Sequence, residues 1–175
     1  MIICTYYTDD MYKALATKLQ HSLGRYMLPC QVEQVDDWGT RLINQQYKAT
    51  YLLGKLESTT EDVIWMDADT EVVKDPGLFR NPPVGDVGLF KCGEVFWSTV
   101  MVLRNTEATK AFVRAWIQGH VQVPVSSDQN IKGAIESSGV KYWQLPPSYV
   151  WYERTFRLVY VGNTAVINHL CVSTR

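Results

Sequence analysis

The sequence predicts a single mixed α/β domain in which helices flank a mainly parallel sheet. Its 175 residues match the usual size of one folding unit, so we assign residues 1–175 to one domain. With 46% apolar and 12% aromatic residues, the chain can bury a sizeable core. Short apolar runs alternate with amphipathic segments in the first half, and this order is typical of successive βαβ units.

The first half predicts three strands separated by two helices. Strands are expected at Met1–Tyr7, Met27–Val35 and Asp62–Asp67, where short runs are apolar or β-branched. The sequence Thr8–Asp10 supplies a cap and an acidic first turn for a helix with leucines four residues apart. The second helix is predicted at Arg41–Leu56, where the large apolar side chains share one side.

The second half has a different pattern. Several short strands are predicted beyond position 139, where aromatic and β-branched residues are frequent. The other elements predicted here are strands at Val87–Phe90 and Val95–Leu103, a helix at Thr106–Gln118 capped by Asn105, and a helix opened by Ser126–Gln129.

Charge and cysteine content exclude several classes of protein. Lys and Arg number 17 against 18 Asp and Glu, so no global positive field exists and we expect no nucleic-acid partner. No stretch approaches the ~20 apolar residues of a membrane span, and the first ten residues do not resemble a secretory signal. The 4 cysteines form no CxxC pair, which predicts reduced, mostly buried thiols in a cytoplasmic protein. We expect a monomer or a weak homo-oligomer.

The strongest chemical signal is the segment VIWMDADT at Val63–Thr70. An apolar strand here delivers Asp67 and Asp69, and alternation along an extended chain would put both carboxylates on the same side. Two hard oxygen ligands suit Mg²⁺ or Mn²⁺ held together with a substrate diphosphate. The structural alternative is an acidic cap on a turn.

Two other metal-dependent interpretations can be tested on the same residues. An EF-hand loop starting at Asp67 needs Gly at its sixth position and Glu at its twelfth, where Val72 and Leu78 stand, so this interpretation is excluded. A haloacid-dehalogenase-type phosphohydrolase would use Asp67 as nucleophile and Asp69 as acid/base. Its usual motif has Thr or Val where Glu71 stands. It remains an alternative function.

The segment IWMDADTEV, together with ICTYY, SSDQN and the terminal VINHLCVSTR, resembles the GT-A glycosyltransferases. Within them the chain is most similar to the retaining, metal-dependent transferases of the glycogenin/galactosyltransferase type and their small relatives. The resemblance implies a GT-A fold and transfer of a hexose, glucose or galactose, from a UDP-sugar. The acceptor would be a glycan, a protein or a small molecule, and the anomeric configuration would be retained.

The resemblance also implies the metal and catalytic residues. Asp67, Asp69 and His169 match the residues that hold Mn²⁺ or Mg²⁺ on the diphosphate, with contact to the ribose as the alternative for Asp67. A neutral imidazole suits Mn²⁺ better than Mg²⁺. Asp128 is the carboxylate expected beside the anomeric carbon, and Arg175 or Lys48 would assist departure of the diphosphate.

The resemblance further implies a set of donor-binding residues. Thr5, Tyr6 and Tyr7 stand where the family holds the base and ribose, and strand packing is the alternative for the two tyrosines. The remaining residues expected near the donor are Lys48, Ala68, Ser98, Thr99 and Gln129. For these residues, ordinary structural roles are the alternative. In the case of Gln129, that role would be a capping box with Ser126.

A third hypothesis is a non-catalytic module that binds nucleotide-sugars or glycans. The 6 Trp and 10 Tyr residues make it plausible, since aromatic rings stack on sugars and bases. This hypothesis predicts binding of a UDP-sugar without turnover.

Overall fold

A six-stranded sheet forms the centre of the molecule. The structure, a computed structural model, describes residues 1–122, 127–152 and 165–170, without the side chains of Ser127 and Gln129. The strands are β1 (Ile2–Tyr7), β2 (Cys30–Gln34), β3 (Val63–Met66), β4 (Thr70–Val72), β5 (Val87–Cys92), β6 (Val95–Leu103), β7 (Tyr142–Gln144) and β8 (Ile167–His169). The helices are α1 (Asp10–Gly24), α2 (Arg41–Ser58), α3 (Gly77–Arg80), α4 (Glu107–Gln122) and α5 (Ile131–Ser138), with 3₁₀ turns at Ser127–Asn130 and Pro147–Tyr149.

The strand order of the central sheet is β2-β1-β3-β6-β5-β7. The pairs β1–β2, β1–β3 and β5–β7 are parallel, whereas β6 runs antiparallel to both of its neighbours. Among the described strands of this sheet, β6 alone is reversed, so the prediction of a mixed, mainly parallel sheet is confirmed. Strands β4 and β8 form a separate antiparallel pair.

Alternation along the strands divides the core into two layers. Ile3 and Ile64 point to one face of the sheet and pack with Leu19 and Leu23 of α1. Their strand neighbours point to the other face, where α2, α4 and α5 cover the sheet. Buried residues of this second layer include Cys4, Trp65, Leu52, Phe112, Trp116 and Ile131. The carboxyl ends of β1 and β3 are left at the edge of the two layers.

Two of the predicted boundaries are wrong for local reasons. The chain does not extend from Met27, because that residue has a φ of 57° and its amide donates to the Gly24 carbonyl in the turn after α1. The predicted cap Asn105 uses its side-chain amide to donate to the carbonyls of Leu56 and Thr59. Thr106 caps α4 instead, since its hydroxyl accepts the Thr109 amide.

The described cysteines behave largely as expected. Cys4 and Cys30 are buried free thiols, and burial raises the pKa of each to about 12. Cys92 is exposed, and Cys171 lies outside the described residues. None of the described helices is long and apolar enough to cross a membrane.

Candidate active site

The carboxyl ends of β1 and β3 open into a cleft of about 390 Å³, the edge at which sheets of this kind bind ligands. Its walls come from the end of β1, the start of α1, the loop before α2 and the segment after β3. A second recess of about 540 Å³ adjoins it and shares Arg41, Gln45, Lys48 and Asp67 with the cleft. The two recesses together could take a nucleotide and an attached group.

Two carboxylates that line the cleft lie close to one imidazole. One ligand atom from each of Asp67, Asp69 and His169 lies within 4.8 Å of the others, and His169 Nε2 is 3.2 Å from Asp69 Oδ1. Two carboxylate oxygens and a ring nitrogen are a donor set that suits Mn²⁺ and, with less preference for the nitrogen, Mg²⁺. The residues present therefore fit the metal that the sequence predicts.

A turn, and not an extended strand, brings the two aspartates together. The Thr70 amide donates to the Asp67 carbonyl at 3.1 Å, and the Thr70 hydroxyl donates to the same oxygen at 2.7 Å. The Asp67 amide donates to Thr99 O on β6. The two carboxylates lie close together as predicted, but a turn that follows the end of β3 at Met66 brings them there, and not alternation along an extended strand.

His169 reaches the aspartates through the small sheet. Strand β8 pairs antiparallel with β4, and this register places His169 opposite Thr70. The Leu170 amide donates to Asp69 O at 2.8 Å, which attaches the histidine segment directly to the aspartate loop. The Tyr152 ring stacks on the His169 ring with centroids 5.0 Å apart.

A polar network joins Asp67 to Asp128 through the protein interior. Lys48 Nζ donates to Asp67 Oδ1 at 2.6 Å, to Ser98 Oγ at 2.9 Å and to Ser98 O at 3.2 Å. Asp128 Oδ1 accepts the Ser98 amide at 3.0 Å and the Ser98 hydroxyl at 2.5 Å. Lys48 and Ser98 are buried. Four residues that the sequence singled out separately therefore form one connected network.

An irregularity in β6 places Ser98 in this network. Gly88 and Phe90 of β5 are two residues apart, yet they pair with Val102 and Trp97 of β6, which are five apart. The extra residues of β6 form a bulge, and bulges commonly redirect a side chain next to a site. Ser98 thereby lines the second recess.

The environment shifts the pKa values of Asp67 and Asp69 in opposite directions. Burial raises the pKa of Asp67 above its usual value, and the Lys48 ammonium opposes that rise. Burial also disfavours ionised Asp69, but the hydrogen bond and charge of His169 outweigh it and lower the pKa of Asp69. A dication at the cluster would favour the ionised form of both groups.

The three predicted nucleotide-binding residues of β1 differ in their placement. Thr5 is fully buried and does not line the cleft. Tyr6 lines it, but its hydroxyl donates to Asn44 O at 2.6 Å and its ring packs against Trp65. Tyr7 lines the cleft and is half-buried, which makes it the better placed ring for stacking on a base.

The other predicted donor residues are also placed in different ways. Ala68 lines the cleft, whereas the structure does not bring Thr99 to either recess. The side chain of Gln129 and the whole of Arg175 lie outside the described residues. Their predicted roles therefore stay predictions.

Sequence reasoning missed several residues of the cleft. Arg41 and Gln45 line both recesses, and their spacing from Lys48 on one face of α2 is a helical period that could have revealed them. Asn44 fixes the preceding loop through its side chain. Its Nδ2 donates to Asp37 Oδ1, and its Oδ1 accepts the backbone amide of Trp38. No sequence pattern signals such a loop contact.

Comparisons with known proteins support the fold. No family model matches the sequence, and no curated protein matches it significantly. A structure described as a glycosyltransferase involved in glycosylation of the major capsid of PBCV-1 matches 98% of this chain and 94% of its own, with a TM-score of 0.73 and 13% identity.

Two structures of the glycosyltransferase GlyE of Streptococcus pneumoniae TIGR4, one of them the apo form, also match 98% of this chain, with a TM-score of 0.65 and 12% identity. The chain spans only 55% of the GlyE structures. At these identities the likeness establishes the fold alone. The chain therefore has the fold of these solved glycosyltransferase structures, in agreement with the fold class predicted from the sequence.

Proposed function

We propose that this chain is a metal-dependent glycosyltransferase that transfers a hexose from a UDP-sugar to an acceptor with retention of configuration. The observation that carries the proposal is the Asp67–Asp69–His169 cluster, whose ligand atoms lie within 4.8 Å of one another and whose two aspartates line the cleft. The fold of the structural neighbours supports it. Glucose or galactose as the sugar, uridine as the base and the retained configuration rest on the sequence resemblance.

The chemistry requires charge stabilisation at the departing diphosphate. Cleavage of the sugar–phosphate bond leaves negative charge on the nucleotide, and a bound Mn²⁺ or Mg²⁺ would supply the positive charge that stabilises it. Asp67, Asp69 and His169 would hold this ion. Tyr7 would support the base.

Two further residues have distinct proposed roles in the second recess. Asp128 is our candidate for the carboxylate near the anomeric carbon, since it lines this recess beside Ser98. Lysine has three N–H donors, and Lys48 directs bonds to three oxygens of Asp67 and Ser98. We therefore assign Lys48 to holding Asp67 and not to contacting the diphosphate.

The test is UDP release from a panel of UDP-sugars with Mn²⁺, Mg²⁺ or EDTA. The native chain is compared with Asp69→Ala and with Asp10→Ala, an exposed aspartate that does not line the cleft. We expect metal-dependent release that one sugar supports best, that Asp69→Ala abolishes and that Asp10→Ala retains. Detection of the transferred sugar's anomeric configuration tests retention.

Other results would favour the other hypotheses. Release of phosphate with Mg²⁺ and little need for His169 would indicate the phosphohydrolase. Stabilisation by UDP-sugars without turnover, over a wide panel of acceptors, would indicate the binding module. Absence of binding by any UDP-sugar would contradict the transferase.

A further inference from the structure

Trp65 makes a contact with the metal cluster that its place in the core does not require. This residue of β3 is 2% exposed, and its indole Nε1 donates to Asp67 Oδ1 at 2.8 Å. Lys48 Nζ donates to the same oxygen at 2.6 Å. One carboxylate oxygen thus accepts two hydrogen bonds, and both limit how the Asp67 carboxylate can turn.

Aromatic neighbours pack around the indole of Trp65. The Tyr6 ring lies 5.0 Å and the Tyr51 ring 5.8 Å from the Trp65 ring, between centroids. Lys48 Nζ lies 5.2 Å from the Trp65 centroid, so the indole also positions the lysine. A lysine chain has four rotatable bonds, whereas a packed indole has a fixed N–H direction. The direction of the Asp67 carboxylate therefore depends on Trp65 as well as on Lys48.

We propose that Trp65 is a positioning residue of the metal site, which orients Asp67 for the cation through its indole N–H. The inference rests on the proposed function, because it assumes that the cluster binds a divalent ion. Hydrogen bonds from surrounding residues to a metal-binding side chain commonly change metal affinity ten- to a hundredfold. An aromatic ring without the N–H would fill the core and leave Asp67 without this constraint.

Trp65→Phe removes the N–H, and Trp143→Phe is the matched control. Trp143 is also a buried strand tryptophan, 8% exposed, but its indole nitrogen has no hydrogen-bond partner among the described residues. Mn²⁺ binding to native and variant chains is measured from the electron paramagnetic resonance signal of free Mn²⁺. We expect about tenfold weaker binding in Trp65→Phe and native affinity in Trp143→Phe, with thermal unfolding confirming that both are folded.

The outcomes separate this inference from the proposed function. If the native chain binds no Mn²⁺, the metal site and the inference both fail. If the native chain binds Mn²⁺ and Trp65→Phe binds it equally or more tightly, the inference fails while the proposed function stands. Equal weakening in both variants would also overturn it, since loss of packing would then explain the effect.

A second measurement uses the native chain alone and does not depend on the variants folding. Indole N–H resonances of ¹⁵N-labelled protein are recorded by NMR while diamagnetic Mg²⁺ is added. The Trp65 resonance must shift, because the Asp67 carboxylate that accepts its hydrogen bond gains a neighbouring cation. The Trp143 resonance must stay constant. An unchanged Trp65 resonance at saturating Mg²⁺ contradicts the inference.

Discussion

Replacement of Lys48 by Met tests the buried network most directly. The change keeps most of the side-chain volume and removes the ammonium that bonds to Asp67 and Ser98. Asp67 must then either stay ionised without its partner or take up a proton, in a site where burial already raises its pKa. Leaving one partner of a buried ion pair uncompensated is one of the few substitutions that destabilise a protein strongly.

The structure allows the magnitude to be worked out. At 2.6 Å between Nζ and Oδ1, an effective dielectric constant of ~20 gives about 6 kcal/mol of attraction before desolvation. Loss of one partner of a buried pair costs about 3–5 kcal/mol. The Asp67 side chain keeps 24% of its accessibility and the Lys48 side chain 7%, so water relieves part of the cost. We expect the free energy of unfolding to fall by about 3 kcal/mol, the lower end of that range.

Denaturant unfolding in EDTA measures this loss without interference from metals. Lys110→Met is the control, because Lys110 pairs at 3.0 Å with Glu107, whose side chain is 82% exposed. That surface pair is expected to contribute less than about 0.5 kcal/mol. The double variant with Asp67→Asn should be clearly more stable than the sum of the single losses predicts. A Lys48→Met loss no larger than that of Lys110→Met would refute the argument.

Three further substitutions have expected outcomes. Asn44→Ala should raise KM for the donor by up to about thirtyfold with little change in kcat, because two hydrogen bonds that shape the cleft wall are lost, each of about 1 kcal/mol; initial-rate kinetics check this. Asp128→Ala should lower kcat at least about a hundredfold, because it removes the carboxylate proposed beside the anomeric carbon, and steady-state UDP release checks it. Gly88→Ala should destabilise the fold by about 1–3 kcal/mol, since a Cβ would overlap the Trp143 indole. Gly54 in α2 has open space around it, so Gly54→Ala should stabilise the fold by about 0.5–1 kcal/mol. Thermal unfolding measures both changes.

The elements of the first half could be predicted because local signals agree there. Asp9 and Thr40 cap α1 and α2 by accepting the amides three residues ahead, as short polar side chains do before an apolar period. The strand β6 was predicted with its observed bounds. The register shift within β6 could not be predicted, since it depends on pairing with β5, which is not encoded in either strand alone.

The candidate site shows the same division. The residue types Asp67, Asp69 and His169 could be singled out from motif and resemblance, but their geometry depends on the β4–β8 pairing and on the turn at Asp67. Trp65 looks in sequence like any apolar residue of a buried strand. Its hydrogen bond to Asp67 arises because the chain turns immediately after β3 and brings the carboxylate back over the indole edge. Long-range pairing and local turns, which periodicity does not report, supply this part of the site.

The network also explains why the site spans so many elements. Asp67 follows β3, Lys48 lies on α2, Ser98 on the irregular part of β6 and Asp128 in the 3₁₀ turn before α5. Each link is a short hydrogen bond between a charged group and a buried partner, so a shift of one element alters the next. The candidate metal-binding carboxylate of Asp67 and the candidate carboxylate of Asp128 are thus connected through Lys48 and Ser98. Loss of Lys48 should therefore displace Asp128 as well as Asp67.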